Sequence, residues 1–324
     1  MKKHSVLIAG LGQIGMGYDL HLDPASHVYS HARAFSLHPS FELVSATDPD
    51  ESRRRDFERE YHVPAHASIE EALKTHNPDV VAIAAPTSRH GEILRKALEQ
   101  PTVKAILCEK PLSHDIDEAR AMLRACTEND ISLYVNYMRR SDPGVIEIRR
   151  RIDEGRIATP LKGIVWYSKG FLHNGSHFFN LLEHWLGEMN DATVLERGRL
   201  WDGVDPEPDV RVSFERGNVI FLSAWEEAFS HYTVELLAQN GRLRYEQGGR
   251  LVLWQGARRD PVLESYTYLS PNAETIENGM DRYQWHMAEQ LANALEGRDA
   301  HLCSGEEALI TLENMKKVIE RIRS

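Results

Sequence analysis

The chain has 324 residues, 42% hydrophobic and 27% charged, enough for about two domains with a large core. Its formal net charge of -11 argues against broad nucleic-acid or anionic-membrane binding, and no stretch reaches the roughly 18 continuous apolar residues of a membrane helix. Met1-Lys2-Lys3 runs straight into SVLIAG, too short and too glycine-punctuated for a signal peptide, and the cysteines 108, 126 and 303 show no pairing pattern, so a reduced, cytoplasmic setting is expected.

Over the first 135 or so residues, short apolar runs alternate with amphipathic ones. VLIAG, FELVSATD, DVVAIAAP, VKAILCEKP and ISLYVNY read as strands, four of them nearly continuous apolar runs of the kind covered on both faces. Between them SIEEALKTH, HGEILRKALEQ and DIDEARAMLRACTEND carry helical periodicity. Strand and helix in alternation predict a doubly wound parallel sheet over residues 1–135.

Residues 136–324 read differently. The helix PGVIEIRRRIDEG is followed by a strand, LKGIVWYS, and then by HNGSHFFNLLEHWLG. In that last stretch Phe178, Leu181, Leu182 and Trp185 follow i, i+3, i+4, i+7 and form one apolar stripe. His177, Asn180 and His184 form a second stripe, polar but without the Lys/Glu character of a solvated face; it is expected to line a cleft. The alternating runs RVSFERGNVIFLSAW and YTVELLAQNGRLRYEQGGRLVLW predict an antiparallel sheet of about five or six strands. The dipeptides Gly217-Asn218, Asn240-Gly241 and Gly248-Gly249 suit hairpin turns with positive φ. Two closing helices, near 281–296 and 305–323, complete the chain, the last expected to pack back on the first domain.

AGLGQIG supplies Gly10, Gly12 and Gly15 in G-x-G-x-x-G spacing, directly after the first strand. Such glycines let a pyrophosphate approach a helix N-terminus closely, which predicts a dinucleotide site with Gln13 and Ile14 in the turn. A ribose-binding carboxylate should lie about 20 residues further on. Asp48 ends its strand 33 positions after Gly15, an excess of about 13 that MGYDLHLDPASHVYS explains as an insertion in the first turn. A carboxylate there favours NAD over NADP; the arginines at 53–55 leave NADP open. The insertion carries His21, Asp23 and His27, with His31 just after it, but chance clustering of 16 histidines outweighs a metal site. Its position beside the cofactor suggests a cover for cofactor or substrate, with Tyr18 touching substrate.

AILCEKPLS ends a buried strand in Glu109-Lys110-Pro111, where ligands of such sheets bind. Lys110 can take a proton from a substrate hydroxyl if its pKa is lowered, or can simply pair with Glu109 in solvent. Ala85, Pro86, Thr87 and His90 follow another strand end and are candidate cofactor contacts, as are Glu109 and Lys110 themselves.

Together, G-x-G-x-x-G, the strand-end E-K-P and GSHFFNLLEHWLG resemble the glucose–fructose oxidoreductase / inositol dehydrogenase (Gfo/Idh/MocA) family. AAPTSRH, NYMRRSDPG and the closing segment resemble it too, so the likeness runs over nearly the whole chain. The resemblance implies a Rossmann domain plus an α/β domain with a large open, mostly antiparallel sheet. It implies a homodimer or homotetramer through that sheet, and NAD(P)-dependent chemistry at a secondary alcohol of a sugar or cyclitol. It assigns proton handling to Lys110 and His177. Asn180 stands where a second aspartate is usual, and His173 where the family often has an aspartate four residues before the histidine. His173 and Asn180, with Asn174 and Lys169 nearby, are candidates for substrate contact. An NAD-dependent glycosidase of the same family and a non-catalytic dinucleotide- or sugar-sensing regulator are the alternatives.

Overall fold

The computed structural model describes residues 3–224 and 229–323. Met1 and Lys2 of the N-terminal reading, and Trp225 closing the run RVSFERGNVIFLSAW, lie outside the described residues.

The apolar runs of the first part become strands β1 (His4–Ala9), β2 (Phe41–Thr47), β3 (Ala65–His66), β4 (Val80–Ile83), β5 (Ala105–Cys108) and β6 (Ser132–Val135). Helices α1 (His31–Leu37), α2 (Glu51–Tyr61), α3 (Ile69–His76), α4 (His90–Leu98) and α5 (Ile116–Glu128) lie between them. Caps set several starts: Ser30, Asp50, Ser68 and Asp115 each accept backbone N–H bonds from the first turn of α1, α2, α3 and α5. β4 and β5 are buried along their whole length, the burial expected of parallel strands sandwiched by helices.

The second part runs through α6 (Pro143–Asp153), β7 (Leu161–Tyr167), a π-turn at Gly170–Gly175, and α7 (Ser176–Leu186). Then come β8 (Met189–Glu196), β9 (Leu200–Trp201), β10 (Asp205–Pro206), β11 (Asp209–Phe214), β12 (Gly217–Ser223), β13 (Thr233–Ala238), β14 (Gly241–Glu246), β15 (Leu251–Arg259), β16 (Thr267–Leu269) and β17 (Glu274–Thr275). The chain closes with α8 (Tyr283–Leu295), β18 (Cys303–Ser304) and α9 (Gly305–Arg323).

Two compact units result. The first comprises Met1–Ser141 and Asp281–Ile310; the second comprises Asp142–Met280 and Thr311–Ser324. In the first unit the strand order is β18-β6-β5-β4-β1-β2-β3, parallel except for β18 against β6. The order reverses beside β1, between β2 and β4, which creates a switch-point crevice at the carboxyl ends of β1 and β4.

In the second unit the path is β16-β15-β14-β13-β7-β12-β11-β8, with β17 on β15; only β7 and β12 run parallel. This sheet exceeds the five or six strands expected. The additions β8, β16 and β17 are edge strands with mostly exposed residues, so they lack the alternation that marks a half-buried strand. The turns also differ. Phe214 pairs with Gly217 and Ala238 with Gly241, so the loops are residues 215–216 and 239–240. Among the expected pairs, Gly248-Gly249 alone has positive φ, at 67° and 109°. Gly217 is needed for proximity instead, since a Cβ there would lie 2.5 Å from the Leu161 carbonyl oxygen.

The core of the second unit gathers Phe171, Phe178, Phe179, Leu181, Leu182, Trp185, Phe214, Phe221 and Tyr245 between α7 and the sheet. That of the first gathers Val6, Ile8, Phe35, Phe41, Phe57, Val80 and Leu107, joined by Val28 of the insertion and by Met287, Ala288 and Leu291 of α8.

Candidate functional site

The glycine turn of the first unit is fixed by sterics. A Cβ on Gly10 (φ 110°) would lie 2.7 Å from backbone atoms of Ala84 and Ala85, and one on Gly15 would lie 2.1 Å from the Gly10 carbonyl oxygen. Gly12 differs: nothing stands within 4 Å of its missing Cβ. Two glycines therefore serve the tight turn, and the third keeps its ground open, as a pyrophosphate cradle requires. Asp48, 4% exposed at the end of β2, accepts the Leu11 N–H at 2.8 Å and the Asp50 N–H at 2.9 Å. The Arg53 guanidinium lies 3.5 Å from Oδ2, the oxygen that accepts the Leu11 N–H. The residue types and the open ground at Gly12 fit a dinucleotide.

Glu109 and Lys110 follow β5 at the same carboxyl edge. Glu109 Oε1 lies 2.8 Å from His31 Nε2 and accepts the Asn136 amide at 2.6 Å. Burial pushes the Glu109 carboxyl up; the hydrogen bond and charge of His31, the Asn136 amide and the Lys110 ammonium outweigh it, and the net shift is downward. Neither His31 nor Asn136 was singled out in the sequence as a partner of this carboxylate. Both are buried, His31 from the first residue of α1 and Asn136 from the residue after β6. His31 belongs to the histidine cluster that a metal reading would have used, and the relevant signal is its distance from Glu109, which is invisible in sequence.

His90 is 1% exposed and sits at the start of α4. Its Nε2 lies 2.9 Å from the Ala85 carbonyl oxygen and its Nδ1 3.2 Å from that of Leu112. It therefore ties the loop Ala85-Pro86-Thr87 to the Lys110-Pro111-Leu112 loop, while Thr87 opens a short 3-10 turn. Tyr18 is 54% exposed on the insertion. The ends of that insertion are packed: Val28 donates to Asp281, Tyr283 Oη donates to Tyr29 at 3.0 Å, and Arg282 donates to Ala25. Burial, then Glu109, Tyr18, Asp19 and Tyr29, push the Tyr283 phenol up. The Trp285 and His38 ring centroids lie 4.8 Å apart, and the Arg282 guanidinium sits over the Trp285 ring, 4.9 Å from its centroid.

In the second unit the chain leaves β7 through Ser168, and Lys169 and Gly170 both have positive φ, 65° and 78°. The π-turn follows and α7 starts at Ser176. Such turns occur often at functional sites. The apolar stripe of α7 is in the core, with Phe178, Leu181, Leu182 and Trp185 at most 1% exposed. The polar stripe divides. His177 and His184 are half-buried; Asn180 is 1% exposed and donates to Thr311 Oγ1 of α9 at 2.9 Å. Asn174 donates to the Tyr232 hydroxyl at 2.9 Å. His173 is exposed and stacks on Trp201, a residue that the sequence reading passed over. A polar cavity of about 410 Å³ in the same unit is lined by Glu196, Gly198, Arg199, Asp209, Ser223 and Ala224.

Residues 5–137 match the model of the Gfo/Idh/MocA family, an oxidoreductase family with an NAD-binding Rossmann fold. The chain is 30% identical over 190 residues to scyllo-inositol 2-dehydrogenase (NAD(+)) of Bacillus subtilis (strain 168), covering 58% of this chain and 50% of that protein. It is 32% identical over 129 residues to inositol 2-dehydrogenase of Rhizobium meliloti (strain 1021), covering 39% of this chain and 38% of that one. The chain thus spans half the length of these curated relatives, or less. The fold resembles that of an oxidoreductase from Agrobacterium radiobacter solved with NAD+, L-tartaric acid and magnesium, with a TM-score of 0.76 at 15% identity over 100% of this chain and 97% of that chain. It also resembles the WlbA dehydrogenase of Bordetella pertussis solved with NADH and UDP-GlcNAcA, with a TM-score of 0.75 at 16% identity over 99% and 96% of the two chains.

Proposed function

We propose that the chain is a member of the Gfo/Idh/MocA oxidoreductase family, whose model its residues 5–137 match, and that it is an NAD-dependent dehydrogenase or reductase acting on a secondary hydroxyl or carbonyl of a sugar, cyclitol or sugar derivative. The observation that carries this reading is the carboxyl edge of the first sheet, where the open ground at Gly12, the buried Asp48 and the Glu109-Lys110 pair follow the ends of β1, β2 and β5. Two curated relatives named as inositol dehydrogenases support the substrate class.

NAD, bound on that edge, supplies the hydride acceptor or donor. Gly10, Gly12, Gln13, Ile14 and Gly15 form the turn that takes its pyrophosphate, and Asp48 takes ribose hydroxyls. Ala85, Pro86, Thr87 and Glu109 contact the remainder, with His90 holding two of these loops together. The Arg53 guanidinium beside Asp48 keeps NADP as a second cofactor to be measured. Lys110 and His177 handle the hydroxyl proton. His173, Asn174, Lys169 and Tyr18 contact substrate. Asn180, whose amide is committed to Thr311, anchors α7 instead. A homodimer or homotetramer forms through the open face of the second sheet, where Ile164, Trp166 and Leu237 are 41%, 39% and 49% exposed.

The test is absorbance at the NADH wavelength across sugars, polyols and nucleotide sugars, with Lys110→Ala and His177→Ala beside the parent. General acid–base catalysis contributes roughly 10²–10⁴-fold, so each variant should lose at least about 10²-fold in turnover while NAD still binds. Near-normal turnover in both variants would sink the assignment.

A further inference from the structure

Among the described residues, the β9–β10 ribbon pairs with neither large sheet. Trp201 and Asp205 are directly opposed across it, so their side chains leave on the same side. Both meet the turn that carries His173. The indole of Trp201 stacks on the His173 imidazole, with centroids 5.0 Å apart and 18° between planes. Asp205, 8% exposed, accepts the N–H of Leu172 at 3.0 Å and of His173 at 2.8 Å. Gly170 makes room for it: a Cβ there would lie 2.1 Å from Asp205 Oδ2. Glu207, fully buried, accepts the Gly170 N–H at 3.1 Å and the Arg199 guanidinium at 2.7 Å.

Two buried carboxylates thus hold three N–H groups of one turn. Burying carboxylates is costly, and burial pushes the Asp205 carboxyl upward despite the N–H bonds it receives. What they hold in place is an exposed imidazole against a half-buried indole. Fixed aromatic faces left at the surface bind at low entropic cost, because their two χ angles are already set. Flat apolar faces with N–H donors at their rims match a ring whose C–H bonds lie on its faces and whose hydroxyls lie on its edge.

Building on the sugar or cyclitol reading above, we propose that Trp201 with His173 is the platform for the ring of a cyclic polyol, and that Asp205 is the positioning residue that fixes it. Trp201 contacts substrate; Asp205 acts through the turn.

The experiment measures kcat and KM for myo-inositol, scyllo-inositol and D-xylose, and KM for NAD, in the parent, Trp201→Ala, Trp201→Phe, Asp205→Ala and Asp205→Asn. Loss of the indole should raise the polyol KM by about tenfold or more, with kcat within about threefold and the NAD KM unchanged. Trp201→Phe, which keeps an aromatic face and guards against a folding defect, should recover most of that loss. Asp205→Ala should raise the polyol KM in the same way, and Asp205→Asn, which retains one acceptor oxygen, should rescue part of it. An active parent whose polyol KM stays within about twofold in Trp201→Ala overturns the platform and leaves the dehydrogenase reading standing. A parent that turns over none of the three polyols overturns the polyol reading itself, and the platform with it.

Discussion

The backbone N–H of His31 donates to the carbonyl oxygen of Ile14 at 3.0 Å, and that of Ala32 to Gly15 at 2.9 Å. In an uninterrupted helix the donors to these oxygens would be residues 18 and 19, four positions on. Both donors stand 13 positions later than that, so the first turn of α1 bonds to the carbonyl oxygens of the glycine turn. The insertion is spliced between that turn and α1, which is why Asp48 lies about 13 residues late and His31 still reaches Glu109.

Asp19 closes that loop. It is fully buried and accepts the N–H of Tyr29 at 2.6 Å, the N–H of Ser30 at 2.9 Å and the Ser30 hydroxyl at 2.6 Å. Asp19→Ala leaves all three donors without this acceptor. Charge-assisted bonds of this kind contribute about 1.5–3 kcal/mol each with strong non-additivity, so a total loss of roughly 2–4 kcal/mol is expected in urea unfolding. A loss under about 0.5 kcal/mol would mean that the loop closes without Asp19.

Cofactor choice is expected to depend on the end of β2. Asp48→Ala should weaken NAD binding by about 10- to 100-fold, the value of one or two charge-assisted bonds to hydroxyls, and should spare NADP. Titration of both dinucleotides into parent and variant checks this. Equal affinity of the parent for both, unchanged in the variant, would transfer the selection to Arg53 and its neighbours.

Much of this was legible in the chain because it is periodic or local. The apolar runs of β1, β2, β4, β5 and β6, the glycine spacing and the stripe Phe178–Leu181–Leu182–Trp185 report short-range geometry. What escaped is non-local. Asn136 meets Glu109 across 27 residues and Asp205 meets His173 across 32. Asn180 is on the polar stripe by periodicity, but where it points depends on α9, 131 residues away. The edge strands escaped for another reason: β16 and β17 are exposed along their whole length and leave no alternation to read, and β8 buries only Ala192 fully.

Acid stability should depend on Glu147 of α6. Burial pushes its carboxyl up, but Arg151, Arg150 and Arg156 together bring it down to about 2 from an ordinary 4.5. A carboxyl depressed in the folded state stabilises above its unfolded pKa, and the stabilisation fades as pH falls from about 4.5 toward 2. The group is 26% exposed, so solvent screening reduces its worth. Glu147→Gln should cost about 1–2 kcal/mol at pH 7, and the parent–variant gap should narrow steadily through that window. A gap independent of pH would show that the carboxylate charge contributes nothing.

The last prediction separates anchoring from substrate contact on α7. Asn180 Nδ2 donates to Thr311 Oγ1, Thr311 Oγ1 donates to Glu183 at 2.5 Å, and Asn314 donates to the other Glu183 oxygen at 2.8 Å. Asn180, Thr311 and Asn314 are at most 5% exposed while Glu183 is half-buried, so a partner lost from one of the first three leaves a buried polar group. Asn180→Ala and Thr311→Val should each cost roughly 1–3 kcal/mol, and the double variant should cost less than the sum, because both remove the same bond. The polyol KM should stay within about twofold in Asn180→Ala, since its amide faces α9 and not substrate. His177, three residues earlier on the same helix, should behave in the opposite way, losing turnover while keeping stability. If Asn180→Ala instead lowers turnover with its melting temperature unchanged, the whole polar stripe acts on substrate and the contact with α9 is incidental.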